Sequence, residues 1–187
     1  MNRLDDKLYG TKEEETKCIL NLQIKHMNYT DEFIDQLLQC VKTFTDPPPK
    51  DYQEVRGHMK KNFTLQSMDG TFNFKGFIRY NVRFPENFSI GLDYNPKEEK
   101  GTICLVRCNG DHGENAAHPH HTSFHIHRAT AFTIKEGLKP ESHIEETTAY
   151  AGIDEAIQYF VRFVTIDNSQ AEKYFPPKQL TLFDEDE

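Results

Sequence analysis

F-N-F-K-G-F-I-R-Y (Phe72 to Tyr80), F-S-I-G-L-D-Y (Phe88 to Tyr94) and T-I-C-L-V-R-C (Thr102 to Cys108) decide the fold. In the first, Phe72, Phe74, Ile78 and Tyr80 alternate with Asn73, Lys75 and Arg79; in the second, Phe88, Ile90, Leu92 and Tyr94 alternate with Ser89, Gly91 and Asp93. Period two predicts strands with one buried and one polar face. Asp69-Gly70, Pro85-Glu86-Asn87 and the stretch from Pro96 to Gly101 supply turns between them. Such short connections favour an antiparallel meander. Ser123 to Phe132 is expected to add a fourth strand after a long loop.

Outward from this centre the periodicity changes. Thr30, Asp31 and Glu32 form a helix start, with a hydroxyl to cap a free N–H and acids at the positive end. Phe33, Ile34, Leu37, Leu38, Val41 and Phe44 follow at helical spacing, until Pro47, Pro48 and Pro49 stop the helix. A second helix runs through Ile153, Ile157, Phe160, Val161 and Val164 and is expected to cover one sheet face, leaving the other for chemistry. Cys18, Leu20, Leu22 and Ile24 alternate with polar residues and predict a further strand, a short helix being the competing reading. The expected fold is α+β, an antiparallel sheet of about five strands packed by two main helices. Residues 1–17 read as a flexible N-terminus, 18–168 as one domain and 169–187 as a flexible tail.

The chain of 187 residues carries a formal net charge of -8, which disfavours a generic whole-surface nucleic-acid binder but not a local basic groove. From Lys50 to Arg83 the bases Lys50, Arg56, Lys60, Lys61, Lys75, Arg79 and Arg83 outnumber the acids Asp51, Glu54 and Asp69. Aromatics Tyr52, Phe63, Phe72 and Tyr80 are interleaved, a combination suited to single-stranded nucleic acid; a solvated strand face over a Phe-rich core is the plain alternative. No apolar run approaches the ~20 residues of a membrane span. Met1 to Lys17 is charged throughout, so no secretory signal is expected; a cytoplasmic location follows, with Cys18, Cys40, Cys104 and Cys108 reduced. No nucleotide-binding glycine loop and no serine-hydrolase elbow occurs.

The chemistry concentrates in N-G-D-H-G-E-N-A-A-H-P-H-H-T-S-F-H-I-H-R (Asn109 to Arg128), where six of nine histidines lie: His112, His118, His120, His121, His125 and His127. On a strand His125 and His127 share a face about 6.6 Å apart, with Phe124 and Ile126 opposite. Three readings compete. In acid–base catalysis one imidazole accepts a proton while another donates, as RNA cleavage beside a 2'-hydroxyl needs. Arg107 or Arg128 would hold the phosphate and Asn109 would orient a ring or a substrate oxygen. As a metal site, His118, His120, His125 and His127, with Cys108, His112, Asp111 or Glu114 in reserve, offer ligands for zinc or another divalent transition metal. The third reading is a histidine-rich surface loop. For a phosphodiester the candidates are thus His125, His127, His112, Arg107 and Asn109 in catalysis, and Arg128, Arg79 and Lys75 in substrate binding.

The run F-x-G-F-I-R-Y-N-V-R-F-P-E-N-F-S-I-G-L (Phe74 to Leu92), then L-V-R-C-N-G-D-H (Leu105 to His112) and F-H-I-H (Phe124 to His127), resembles a bacterial family of small uncharacterised proteins that share R-x-N-G-x-H, a short loop, an H-I-H strand and a closing helix. The resemblance spans roughly residues 28 to 167 and singles out Arg107, Asn109, His112, His125 and His127. R-x-N…H followed by Pro119-His120-His121 is similar, over the centre alone, to TumE-type toxins of toxin–antitoxin pairs, with a different spacing between the histidine groups. Together these likenesses imply a role in mobile-element or defence biology. In the tail, Gln179-Leu180-Thr181-Leu182-Phe183 resembles the peptide by which bacterial replication and repair proteins dock on the β sliding clamp. Gln179 offers an amide, and Leu180, Leu182 and Phe183 offer apolar anchors. A last β-strand is the plain alternative. A non-catalytic adaptor for the clamp is therefore the rival expectation to a nuclease.

Overall fold

The computed structural model describes residues 29–97, 101–113 and 122–177. In chain order these form α1 (Asp31–Gln39), β1 (Lys42–Asp46), β2 (Gln53–Val55), β3 (His58–Ser67), β4 (Asn73–Asn81), β5 (Phe88–Asn95), β6 (Ile103–Asn109), β7 (His125–Arg128), α2 (Ala131–Lys135), β8 (His143–Glu146), α3 (Ile153–Phe163) and α4 (Asn168–Tyr174). The fold is mixed α+β, and β3 to β8 run as the expected antiparallel meander. Among the described residues the sheet has eight strands rather than about five, because β1 and β2 both pair with β3 and β8 extends the far edge. There are four helices in this part of the chain rather than two main ones.

Thr30 caps α1 as expected, its hydroxyl accepting from the Phe33 N–H at 3.2 Å. The helix ends at Gln39, so Val41 and Phe44 do not continue it. Val41, Thr43 and Thr45 favour extended backbone, and Lys42 is held in β1 by pairing with Ser67 and by its N–H to the Thr165 carbonyl. Similarly, the strand expected from Ser123 to Phe132 is confined to His125–Arg128, since Thr130 and Thr133 form a reciprocal capping box that starts α2. The strand expected from Cys18 to Ile24 lies outside the described residues. Past residue 168 the chain continues as α4, and Phe175 packs its ring against Phe44 and Phe63.

One sheet face is apolar. Phe63 and Leu65 of β3, Phe74 and Ile78 of β4, Phe88, Ile90 and Leu92 of β5, Val106 and Cys108 of β6 and Ile126 of β7 form one buried core. Ile34, Leu37 and Leu38 of α1 join it, as do Ala156, Ile157, Phe160 and Val161 of α3. Burying such side chains contributes about 1.5–3 kcal/mol each. The opposite face is polar, and the register lines its side chains in rows. One row is Lys60, Arg79, Ser89, Asn109, His125 and Glu146; the next is Asn62, Phe77, Gly91, Arg107, His127 and Ile144; a third is Thr64, Lys75, Asp93 and Cys104. A bulge in β6, where Leu105 is the extra residue opposite the Leu92–Asp93 step, brings Cys104 and Arg107, three apart in sequence, onto this same face. Among the described residues no helix is long and apolar enough to cross a membrane.

Candidate functional site

The site lies where β5, β6 and β7 run side by side on the polar face. His125 is fully buried and His127 nearly so, with ring centroids 5.0 Å apart. His112, half-buried just beyond β6, places its ring 5.5 Å from that of His125. Three of the sequence candidates thus form one continuous imidazole row.

Each of the three rings is oriented through the same atom. His125 Nδ1 lies 2.8 Å from the Ser123 carbonyl, His127 Nδ1 3.0 Å from the Glu141 carbonyl, and His112 Nδ1 2.9 Å from Asn87 Oδ1. Those oxygens only accept, so Nδ1 carries the proton in each ring and Nε2 is the acceptor atom of the neutral tautomer. At His125 that atom faces the Asn109 amide nitrogen at 3.2 Å, while Ser89 Oγ donates to Asn109 Oδ1 at 2.7 Å and fixes the amide's orientation. Asn109 therefore holds the His125 ring in its orientation. From the core side, the buried Tyr150 hydroxyl donates to the carbonyls of Asn109 and His125, tying β6 to β7 directly beneath the row.

His127 is electrostatically distinct. Burial, then the Arg107 charge, push its pKa down to about 3, and the neighbouring His125 and Lys139 act in the same direction. The segment after α2 supplies its partner: Thr133 Oγ1 donates to the Pro140 carbonyl, and Glu141 follows with both its carbonyl and its carboxylate turned to the site. The buried Glu141 carboxylate meets Lys139 Nζ at 2.9 Å and Arg107 Nε at only 3.7 Å. Arg107 Nε is itself buried and, among the described residues, has no hydrogen-bond partner. Its stem lies against Gly91, where a Cβ would come within 3.0 Å of Arg107 Cγ and 2.5 Å of the Phe77 ring. Only glycine leaves room for both. Burial, then the Arg107 charge, lower the Arg79 guanidinium's pKa, so two cations share this face.

Lys75 also projects from this face, opposite Asp93. Burial, aided by the Glu141 charge, raises the Asp93 carboxyl, while Cys104, Arg107 and Lys75 oppose the shift. Burial drives the Cys104 thiol upward and that of Cys108 to about 12, so neither of these two is activated; Cys40, Cys104 and Cys108 are free. Arg128 is not brought to the site. It projects from the core face toward α1 and α3, 3.6 Å from Asp35 and 5.3 Å from the centre of the Phe163 ring.

His118, His120 and His121 lie outside the described residues, as do Gln179, Leu180, Leu182 and Phe183. Among the described residues no group of three or more His, Cys, Asp and Glu side chains is placed to hold a metal ion. Ser89, Glu141 and Tyr150 escaped the sequence reading. Ser89 was within reach of it through period two, whereas Glu141 and Tyr150 arrive from connecting segments that carry no periodic signal. Compared with known proteins, the chain matches no family model, no curated protein and no solved structure.

Proposed function

We propose that this face binds and acts on a nucleic-acid phosphodiester, with RNA as the substrate. The carrying observation is the pairing of Arg107 directly opposite His127: a buried guanidinium N–H that has no hydrogen-bond partner among the described residues, beside a neutral imidazole of fixed tautomer. A phosphate oxygen satisfies that donor, and Arg79 supplies a second cation from the same face. An anion on Arg107 also offsets one of the charges that hold the His127 pKa down, so substrate binding makes the ring a better base. In the RNA reaction the 2'-oxygen attacks phosphorus and gives its proton to His127 Nε2. The P–O5' bond breaks, and the departing 5'-oxygen takes a proton from the protonated ring of His112, leaving a 2',3'-cyclic phosphate. His125 and Asn109 position the two rings. The zinc reading, on His118, His120, His125 and His127, is tested by elemental analysis of untagged protein.

The test uses end-labelled RNA and DNA strands with the wild-type chain, Arg107→Ala and His127→Asn. Cleavage of RNA to cyclic-phosphate ends, falling at least 100-fold in both variants, is expected. Equal background products from all three proteins overturn the reading.

A second reading rests on the tail. Gln179-Leu180-Thr181-Leu182-Phe183 begins four residues after Phe175, whose packed ring fixes the chain just before it. This supports docking on a bacterial sliding clamp by a cytoplasmic protein of mobile-element or defence context. Truncation after Lys178 is expected to abolish clamp binding and leave RNA cleavage intact; no clamp binding by the full chain removes this reading.

A further inference from the structure

Phe77 is the unexplained residue of the polar face. It sits in the middle row, half-buried, between Asn62 and Gly91, with Arg107 and His127 further along. Unlike Phe72 and Tyr80 of the same hairpin, it does not pack on the hydrophobic core, and among the described residues its ring meets no other aromatic ring. Its ring lies instead over the space that Gly91 leaves open. Two residues away on either side, on the same face of β4, stand the exposed Lys75 and Arg79. Lys60 stands opposite Arg79 on β3, and Arg107 lies two strands away. The acids of this face are Asp93, Glu146 at the far end of the Arg79 row, and Glu141, the last already met by Lys139 and Arg107.

An aromatic ring set among cations on a sheet face suits one kind of occupant. Bases stack on such rings while cations track the backbone, and double helices, whose bases are already stacked, gain nothing from the ring. From this charge complementarity, in a chain of net charge -8, we infer that the polar face is the track for a single strand of RNA: one base stacks on Phe77, and Lys60, Lys75 and Arg79 hold the phosphates leading to Arg107 and His127. The inference rests on the phosphodiester reading and adds the strandedness of the substrate and a base-binding residue. Phe77 touches the base and takes no part in proton transfer.

Fluorescence anisotropy of the full chain with a labelled 12-nucleotide RNA tests it, using a His127→Asn background so that no cleavage intervenes. The comparison strands are an abasic strand of the same length, the RNA duplex and DNA of the same sequence. Phe77→Leu keeps an apolar side chain and removes the ring; Phe77→Trp keeps a ring, and thermal melts establish that both fold. Phe77→Leu is expected to weaken RNA binding 5- to 100-fold, Phe77→Trp to preserve it, and neither to change binding of the abasic strand. Equal RNA binding by the Leu variant and its parent overturns the stacking role while leaving phosphate recognition by Arg107 intact. Tighter binding of duplex than of single strand overturns the track, and equal binding of DNA overturns the choice of RNA. No binding of either the RNA or the abasic strand removes the phosphodiester reading with it.

Discussion

At the scale of single residues, His127 is a group whose environment has strongly altered its acid–base chemistry. Its pKa falls from 6.5 to about 3 on folding, with burial the largest cause and Arg107 next. The unfolded chain therefore takes up a proton below pH 6.5 that the folded chain refuses until about pH 3. Stability from this group is complete above the first value and is lost as pH falls toward the second, at about 1.4 kcal/mol per pH unit. Urea unfolding between pH 7 and pH 4 is expected to show that slope. His127→Asn keeps an amide donor for the Glu141 carbonyl, and its unfolding is expected to be flatter with pH; an unchanged slope contradicts the assignment. That His125 and His127 share a face was legible from strand alternation alone. Which nitrogen each presents was not, because the oxygens that fix the tautomers belong to Ser123 and Glu141, outside the strand.

At the scale of elements, the clearest lesson is how α1 and β1 are joined. Helical spacing extends through Val41 and Phe44, yet the helix stops at Gln39 and the next residues form a strand. Lys42 explains what the spacing conceals. Fully buried, its ammonium donates to the carbonyls of Leu38, Cys40 and Val164 at 2.8, 2.8 and 2.7 Å, closing the C-terminal ends of α1 and α3 together. Burial lowers its pKa to about 8, so at neutral pH it is still predominantly the charged, threefold donor. Lys42→Met keeps the apolar stem and strands three carbonyls, two in fully buried bonds and one in a partly buried bond, at a cost of about 3 kcal/mol. A urea midpoint within error of wild type would show that the three bonds contribute nothing. The bulge in β6 is a second element-scale device. Strict alternation puts Cys104 and Arg107 on opposite faces, and the sequence carries no mark of the extra residue that unites them.

At the scale of the whole molecule, the division into a helix-covered face and a chemical face was legible, since it follows from period two in β4 and β5 and from the apolar stripe of α3. The number of strands was not. β2 and β8 have three and four residues and are mostly exposed, so they bury no alternating set that would announce them. Charge segregation also belongs to this scale: an acidic protein presents Lys60, Lys75, Arg79 and Arg107 on one face. For a single strand each neutralised phosphate contributes about -0.7 to the slope of log affinity against log salt. A slope of about -2 to -3 is expected for RNA, reduced by about 0.7 in Arg79→Ala. A slope near zero means these cations do not meet phosphates.

The loose approach of Glu141 to Arg107 has a further consequence. On the phosphodiester reading proposed above, a phosphate that reaches Arg107 displaces a resident anion, and the displaced carboxylate keeps Lys139 as its companion. On that reading weak or badly seated anions lose this contest, and the contact acts as a threshold against stray ions. Neutralising the competitor in Glu141→Gln, which leaves the main-chain carbonyl that serves His127 untouched, is expected to tighten capture of inorganic phosphate and of RNA alike, and to narrow the margin between them.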